Sequence, residues 1–302
     1  MKIILATQKP FSPYATDRVK EIAKAEHELT VFENYKEQSE LVQAVHDADA
    51  IIVRSDLVTA EVINNAPKLK IAVRAGAGYD NIDLEACTAR NIVVMNTPGQ
   101  NSNAVAELAV GLMIYMVRNS FTPGVGSELK NKKLGIHAYG NVGKLIATLG
   151  KGFGMEVYGF DPFVNSEVFA RDGLTAVKSA QELYSLCDIV SINMPALPAT
   201  VKSVNKSLLE QLKNNAILVN TARREVIDEE DLLNIMQRSR IKYATDVKPL
   251  CHEKLTDFGN RYFSTPKKMG AETEEANINA AIAAINQIVD YFKTGNQTYR
   301  VN

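Results

Sequence analysis

What this 302-residue chain has little of bounds what it can do. Only three cysteines occur, Cys87, Cys187 and Cys251, odd in number and far apart. They form neither a disulfide frame nor a zinc spacing, no His/Cys/Asp grouping suggests a metal, and such sparse thiols suit a reducing cytosol. The formal net charge is −1, which argues against nucleic acid or an anionic membrane as main partner, because such binding rests on clustered positive charge. Long apolar runs are missing too. The N-terminal MKIILATQKP turns polar after four apolar residues, too early for a signal peptide, and the most apolar stretch, 104–117, contains Glu107 and falls short of a membrane span. Repeats of solenoid type and low-complexity tracts are absent. What is left, 46% hydrophobic and 23% charged residues, is the composition of a globular, cytoplasmic chain long enough for two domains.

The most informative stretch is KLGIHAYGNVGKLIATLGKGFGMEVYGFDP, 133–162. Leu134 to Ala138 reads as the end of a buried strand. The turn Tyr139-Gly140-Asn141-Val142-Gly143 follows, and Val142, Leu145, Ile146 and Leu149 then recur at helical spacing. Gly140 stands where such a turn lets a pyrophosphate approach the backbone, and Gly143 where the helix must pack closely on its strand. A helix starting there aims unpaired N–H groups and its positive dipole end at phosphates. Val157 to Phe160 is a second strand that stops at Asp161 and Pro162, and a carboxylate at that point accepts hydrogen bonds from ribose hydroxyls. It would repel a 2′-phosphate, so the pattern favours NAD over NADP. One departure shows: the first glycine position is Ala138. The plain alternative is an ordinary βα unit.

The rest of the chain alternates strand and helix. Strands are expected at 2–6, 28–32, 50–53, 69–73 and 92–95, with helices at 12–24, 41–46, 57–65, 83–90 and 101–118. After Pro162 the rhythm resumes with strands at 189–192, 216–219 and 242–245 and helices at 206–211, 229–238 and about 274–293. Arg54-Ser55 stands just past one strand and Arg74, with the loop Ala75-Gly76-Ala77, past the next. Ligands of open α/β sheets bind beyond those ends.

These residues together resemble the D-isomer-specific 2-hydroxyacid dehydrogenases, and within them the branch that oxidises D-3-phosphoglycerate. The resemblance runs through VRS (53–55), RAGAGYDNID (74–83), NTPGQNSNAVAEL (96–108), AYGNVG (138–143), FDP (160–162), NTARREVIDEEDL (220–232), TDV (245–247) and TPKKMGAETEEAN (265–277). It implies an α/β fold of two doubly wound parallel-sheet domains, a Rossmann coenzyme domain at 98–278 inserted in a flavodoxin-like substrate domain formed by 1–97 and 279–302. It also implies NAD as cofactor, a small phosphorylated 2-hydroxy acid as substrate, and a homodimer through the coenzyme domain. Longer relatives carry C-terminal regulatory domains; the chain stops after its return helix, so feedback control by an end product is not expected.

By the same resemblance, Arg223 matches the catalytic arginine, whose fork binds carboxylate and polarises the oxygen that becomes a ketone. Asp246 matches the acid that orients the nicotinamide carboxamide. Val105, Asn193, Met194, Pro195, Thr200, Thr221, Ala222 and Gly270 join the turn residues and Asp161-Pro162 as cofactor contacts. Two arginines just past two strand ends, Arg54 and Arg74, are the expected phosphate clamp, with Ser55 beside them a further substrate contact, the amides of Ala75 to Ala77 the carboxylate seat, and Asn101 and Asn103 further polar contacts. The base is where the sequence departs: the family's histidine is missing before Met269-Gly270, and so is its glutamate partner, the fifth residue after Asp246 being Cys251. Counting back from Gly270 puts Lys268 in its place; counting forward from Thr265-Pro266 puts Lys267 there. The two losses go together, since a carboxylate helps a histidine hold its proton, whereas a lysine must be pushed down to act as base. His252 and Glu253 are rival bases. A hydroxypyruvate or glyoxylate reductase and a non-catalytic NAD-binding scaffold are the competing readings.

Overall fold

The computed structural model describes residues 1–24 and 26–302. They fall into two compact units, Met1–Asn101 with Glu272–Asn302, and Ser102–Ala271. The crossings lie a few residues from the expected 97 and 278 because each long helix stays whole: Ser102–Val117 belongs to the second unit and Glu274–Thr294 to the first.

The first unit holds strands β1 (Lys2–Thr7), β2 (Glu28–Glu33), β3 (Ala50–Val53), β4 (Ile71–Arg74) and β5 (Val93–Asn96), paired in the order β2-β1-β3-β4-β5, all parallel. Parallel sheets are covered on both faces, and alternation along each strand supplies both. Ile3 and Leu5 join Ile52, Ile71 and Val73 under the helix Glu274–Thr294, which adds Ala281, Ala284, Ile285 and Ile288. Ile4 and Ala6 join Ile51, Val53, Ala72 and Val94 on the opposite face.

The second unit holds β6 (Lys133–His137), β7 (Glu156–Phe160), β8 (Thr175–Ala176), β9 (Ile189–Ile192), β10 (Ile217–Asn220), β11 (Lys242–Thr245) and β12 (Tyr262–Ser264), in the order β12-β11-β10-β9-β6-β7-β8, again all parallel. Strand order reverses between β1 and β3 in one unit and between β6 and β9 in the other. Those reversals open the crevices where doubly wound sheets take ligands.

The sequence pattern left 163–188 and 251–264 without elements. The structure places there the helices Ser166–Arg171, Ala180–Leu186 and His252–Thr256, and the strands β8 and β12. Strands of two and three residues are too short to show a period. Among the described residues no helix is long and apolar enough to cross a membrane, and no group of three His, Cys, Asp or Glu is placed to hold a metal ion.

Candidate active site

The turn after β6 sits at the second unit's reversal point. Ala138, where a glycine is usual, takes a left-handed φ of +74°, a conformation that costs an L-residue roughly 1 kcal/mol. Gly140 starts the helix Asn141–Gly152 from extended backbone, and a Cβ built on it meets nothing within 4 Å. The fold itself does not demand this glycine, and the space before the helix N-terminus stays open, as a pyrophosphate needs. Gly143 differs. A Cβ there would lie 2.4 Å from the Ala138 carbonyl oxygen and 3.0 Å from Ile136 Cγ2, so this glycine serves the contact of helix with strand. Asn141 is exposed beside it and Val142 half-buried.

Asp161 follows β7 directly. Its Oδ2 accepts the Tyr139 N–H at 2.8 Å and its Oδ1 the Phe163 N–H at 2.9 Å, which ties the strand end to the turn and leaves lone pairs for further donors. Pro162 is exposed next to it. The Tyr139 ring is buried against Phe169, its hydroxyl donating to Asp172 at 3.1 Å, so only its backbone serves the turn. His137 is packed as well, its Nδ1 3.1 Å from the Tyr184 hydroxyl, and burial pushes its pKa down to about 4.

The loops after β9, β10 and β11 lie at the same edge of that sheet. Asn193 donates its N–H to the His137 carbonyl at 2.9 Å and its side-chain amide to the Ser191 carbonyl at 3.1 Å. Thr200 closes the following turn, accepting from the Leu197 N–H at 2.8 Å and donating to the Pro195 carbonyl, with Met194 buried beneath. After β10, the Asn220 side chain accepts the Ala222 N–H at 3.0 Å and donates to the Arg223 carbonyl at 2.9 Å. This fixes the backbone that carries Arg223, which is half-buried and donates from Nη1 to the Ala222 carbonyl at 3.0 Å. Arg224 is exposed and pairs with Glu225. The Thr221 hydroxyl is buried without a partner.

Asp246, after β11, is fully buried. Its Oδ2 accepts the N–H groups of Gly270 at 2.7 Å and Met269 at 3.2 Å, while Oδ1 has no partner. Burial raises its carboxyl pKa, against the pull of those N–H donors and the charge of Lys268. Gly270 sits between Asp246 and Val105; a Cβ would come within 2.9 Å of one and 3.1 Å of the other. Lys267 and Lys268 are exposed on the loop before Gly270, whose backbone is pinned by the Thr265 hydroxyl donating to the Lys267 carbonyl at 2.6 Å. His252 contacts the Tyr262 hydroxyl at 2.8 Å through Nδ1, and Glu253 is exposed on the same short helix.

In the first unit the strand ends carry cations. Arg54 follows β3 with its side chain mostly covered, 5.3 Å from the Phe11 ring centre, Nη2 lying 3.8 Å from Glu272 Oε1. Arg74 closes β4 and donates from Nε to the Arg54 carbonyl at 2.9 Å. Its guanidinium lies over Gly76, where φ is +152° and a Cβ would fall 1.5 Å from Nη1. The loop amides depart from expectation: Ala75 N–H donates to Val53 at 2.8 Å and Gly76 N–H to Arg74 at 2.9 Å, so these two are committed inside the fold. Ala77 is half-buried, its carbonyl taking the Asn96 side-chain amide. Ser55 is exposed, Asn101 half-buried, and Asn103, in the second unit, donates to Glu107 on its own helix at 2.7 Å.

Sequence reasoning missed Asp56. It is 5% exposed and accepts from the Gln8 N–H and the Tyr35 hydroxyl, both at 2.7 Å, and from the Arg54 N–H at 3.2 Å. An acid two residues past Arg54 in a strand-end loop was the available signal. Phe11 and Glu272 lie far from Arg54 in sequence and gave none.

Residues 4–302 match the family described as D-isomer specific 2-hydroxyacid dehydrogenase, catalytic domain. D-3-phosphoglycerate dehydrogenase of Homo sapiens is 37% identical over 283 residues, 88% of this chain and 52% of that protein. The enzyme of the same name from Methanocaldococcus jannaschii is 36% identical over 269 residues, 83% and 51%. The chain thus spans about half the length of the curated relatives it matches. The crystal structure of NAD+-bound 3-phosphoglycerate dehydrogenase from Entamoeba histolytica superposes with a TM-score of 0.91 at 45% identity, covering 100% of this chain and 98% of that one.

Proposed function

The chain belongs to the D-isomer-specific 2-hydroxyacid dehydrogenases, and on that premise we propose that it oxidises D-3-phosphoglycerate to 3-phosphohydroxypyruvate with NAD, the first step of phosphorylated serine synthesis. The relatives' names support this substrate, and the NAD+ of the Entamoeba structure supports the cofactor. The observation that carries the reading is the buried, unpartnered Oδ1 of Asp246. A buried acceptor without a donor is costly, and a carboxamide N–H would relieve it. The open space at Gly140, the orphaned Thr221 hydroxyl and the remaining lone pairs of Asp161 fit a dinucleotide equally. NAD, when bound, supplies the hydride acceptor. Cytosolic location and a homodimer through the second unit belong to the same proposal.

The chain's own residues then divide the work. Arg223, fixed by the Asn220 turn, holds the substrate carboxylate and the oxygen that becomes the ketone. Arg54 and Arg74 hold the phosphate, which takes the place of Glu272 beside Arg54. Lys268, once deprotonated, takes the hydroxyl proton, with Lys267 as its rival.

Purified protein is expected to form NADH from D-3-phosphoglycerate, with a rate that rises with pH as the amine loses its proton. Lys268→Ala should lower kcat by roughly 10²- to 10⁴-fold, the usual share of general base catalysis, and leave the KM for NAD unchanged. If Lys268→Ala and Lys267→Ala both keep wild-type turnover, the lysine mechanism is lost. If no 2-hydroxy acid yields NADH, so is the wider reading.

A further inference from the structure

Arg54, just past β3, is pinned through both of its backbone groups. Its N–H donates to Asp56 Oδ2 at 3.2 Å, and its carbonyl accepts from Arg74 Nε at 2.9 Å and from the Asn81 amide at 3.4 Å. The same Asn81 amide donates to the Asp56 carbonyl at 2.6 Å, which closes the loop around the arginine. The side chain lies against Phe11 and is only 13% exposed.

The anion beside it is placed differently. Glu272 is the first residue of the chain's return to this unit, and its side chain is 39% exposed. Thr273 then caps the helix Glu274–Thr294, its hydroxyl oxygen accepting the Ala276 N–H at 3.2 Å. The backbone next to Glu272 is thus anchored, while its carboxylate keeps contact with water. Glu272 Oε1 lies 3.8 Å from Arg54 Nη2, longer than a hydrogen bond. An ion pair of that kind is weak. It still serves Arg54, because a mostly covered cation without an anion is costly.

We propose that Glu272 is the resident anion of Arg54 and sets how tightly phosphate binds there. Binding is an exchange: the incoming phosphate takes the guanidinium, and the Glu272 side chain swings out to water. The inference rests on the phosphate clamp proposed above. Phosphate wins the exchange because it brings more negative charge and three acceptor oxygens that can come within hydrogen-bond distance of the fork. Substrate and product both carry the phosphate, so the exchange weakens both alike. A uniform change of that sort is read in KM and does not raise kcat.

Calorimetry of the whole chain with inorganic phosphate, at constant ionic strength, tests this without turnover. Glu272→Gln keeps the size of the side chain and removes the competing charge. It should tighten phosphate about fivefold, the upper worth of a half-exposed ion pair, and lower the KM for D-3-phosphoglycerate by the same factor without raising kcat. In an Arg54→Ala background the same substitution should leave that KM where it was, because the two side chains act as one pair. Unchanged phosphate affinity in folded Glu272→Gln protein overturns the exchange and leaves the clamp standing. An equal gain with Arg54 absent also overturns it, since Glu272 would then act as a distant repulsive charge. If phosphate does not bind, or binds Arg54→Ala as well as the parent, the clamp falls and the exchange with it.

Discussion

In the first unit the residues at the ends of β3 and β4 are cations, Arg54 and Arg74, whereas past β7 and β11 in the second unit they are acids, Asp161 and Asp246. The two sheets share parallel pairing and a reversal of strand order, and both end in small-residue loops. Architecture therefore sets where a ligand docks, and the one or two residues past each strand set which. The arginine ends suit an anion; the acid ends, joined by the open Gly140 turn, suit the hydroxyls, amide and phosphates of a dinucleotide. Arg223 is the exception in the second unit, a cation following β10, and the proposed reaction gives it the substrate carboxylate.

The widest separation of the two units should come from Arg54→Ala. Activity on D-3-phosphoglycerate is expected to drop by roughly 10²-fold in kcat/KM, the worth of a charge-assisted contact to phosphate. Activity on D-glycerate and the affinity for NAD should stay as they were. Equal losses on both acids would dissolve the contrast between an anion unit and a cofactor unit.

Within the second unit, two glycines should answer differently. Gly143→Ala drives a methyl into the Ala138 carbonyl and is expected to cost about 1–3 kcal/mol, read from urea unfolding. Gly140→Ala meets no protein atom, so stability should hold while NAD binding, measured by calorimetry, weakens. If Gly140→Ala unfolds the protein, that glycine serves the fold and not a ligand.

Titration offers a third handle. Burial holds His137 at a pKa of about 4, below its unfolded value near 6.5. The folded state thus favours the neutral ring, and its contribution is complete above the unfolded value and lost as pH falls toward about 4. The loss amounts to about 3 kcal/mol between those limits, and His137→Gln should flatten that part of the stability profile. Asp246 runs the other way: burial raises its pKa, so its contribution is intact in acid and disappears as pH climbs past the raised value. Asp246→Asn should remove that decline.

The smallest effect is expected at Ala138. Replacing it by glycine relieves the left-handed backbone and should stabilise the protein by up to about 1 kcal/mol, offset in part by the greater freedom of an unfolded glycine. A thermal melt that moves down would mean that the alanine methyl packs usefully.

The alternation of the fold was legible because parallel strands buried on both faces read as short apolar runs, and β3, β9, β11 and the helix Glu229–Arg238 lie where the pattern placed them. The stretches 163–188 and 251–264 were not, since elements of two to seven residues carry too few periods. At the site, the sequence marked the glycine turn and the charged strand ends because each is a local pattern. It was silent on the orphaned atoms of Thr221 and Asp246, on the commitment of the Ala75 and Gly76 amides, and on Glu272 beside Arg54. Those depend on which groups meet across the fold, and no local spacing records that.

Because the first unit is built from both extremities of the chain and the second from one uninterrupted stretch, the two are completed at different moments of synthesis. Translation delivers all of Ser102–Ala271 before the helix Glu274–Thr294 exists. Until that helix leaves the ribosome, Ile3, Leu5, Ile52, Ile71 and Val73 have only the helix Pro13–Ala23, through Ala15, Val19 and Ala23, to cover them. The nascent protein thus passes through an interval with one finished half and one apolar sheet face only partly covered, the stage at which chaperone capture or aggregation would act.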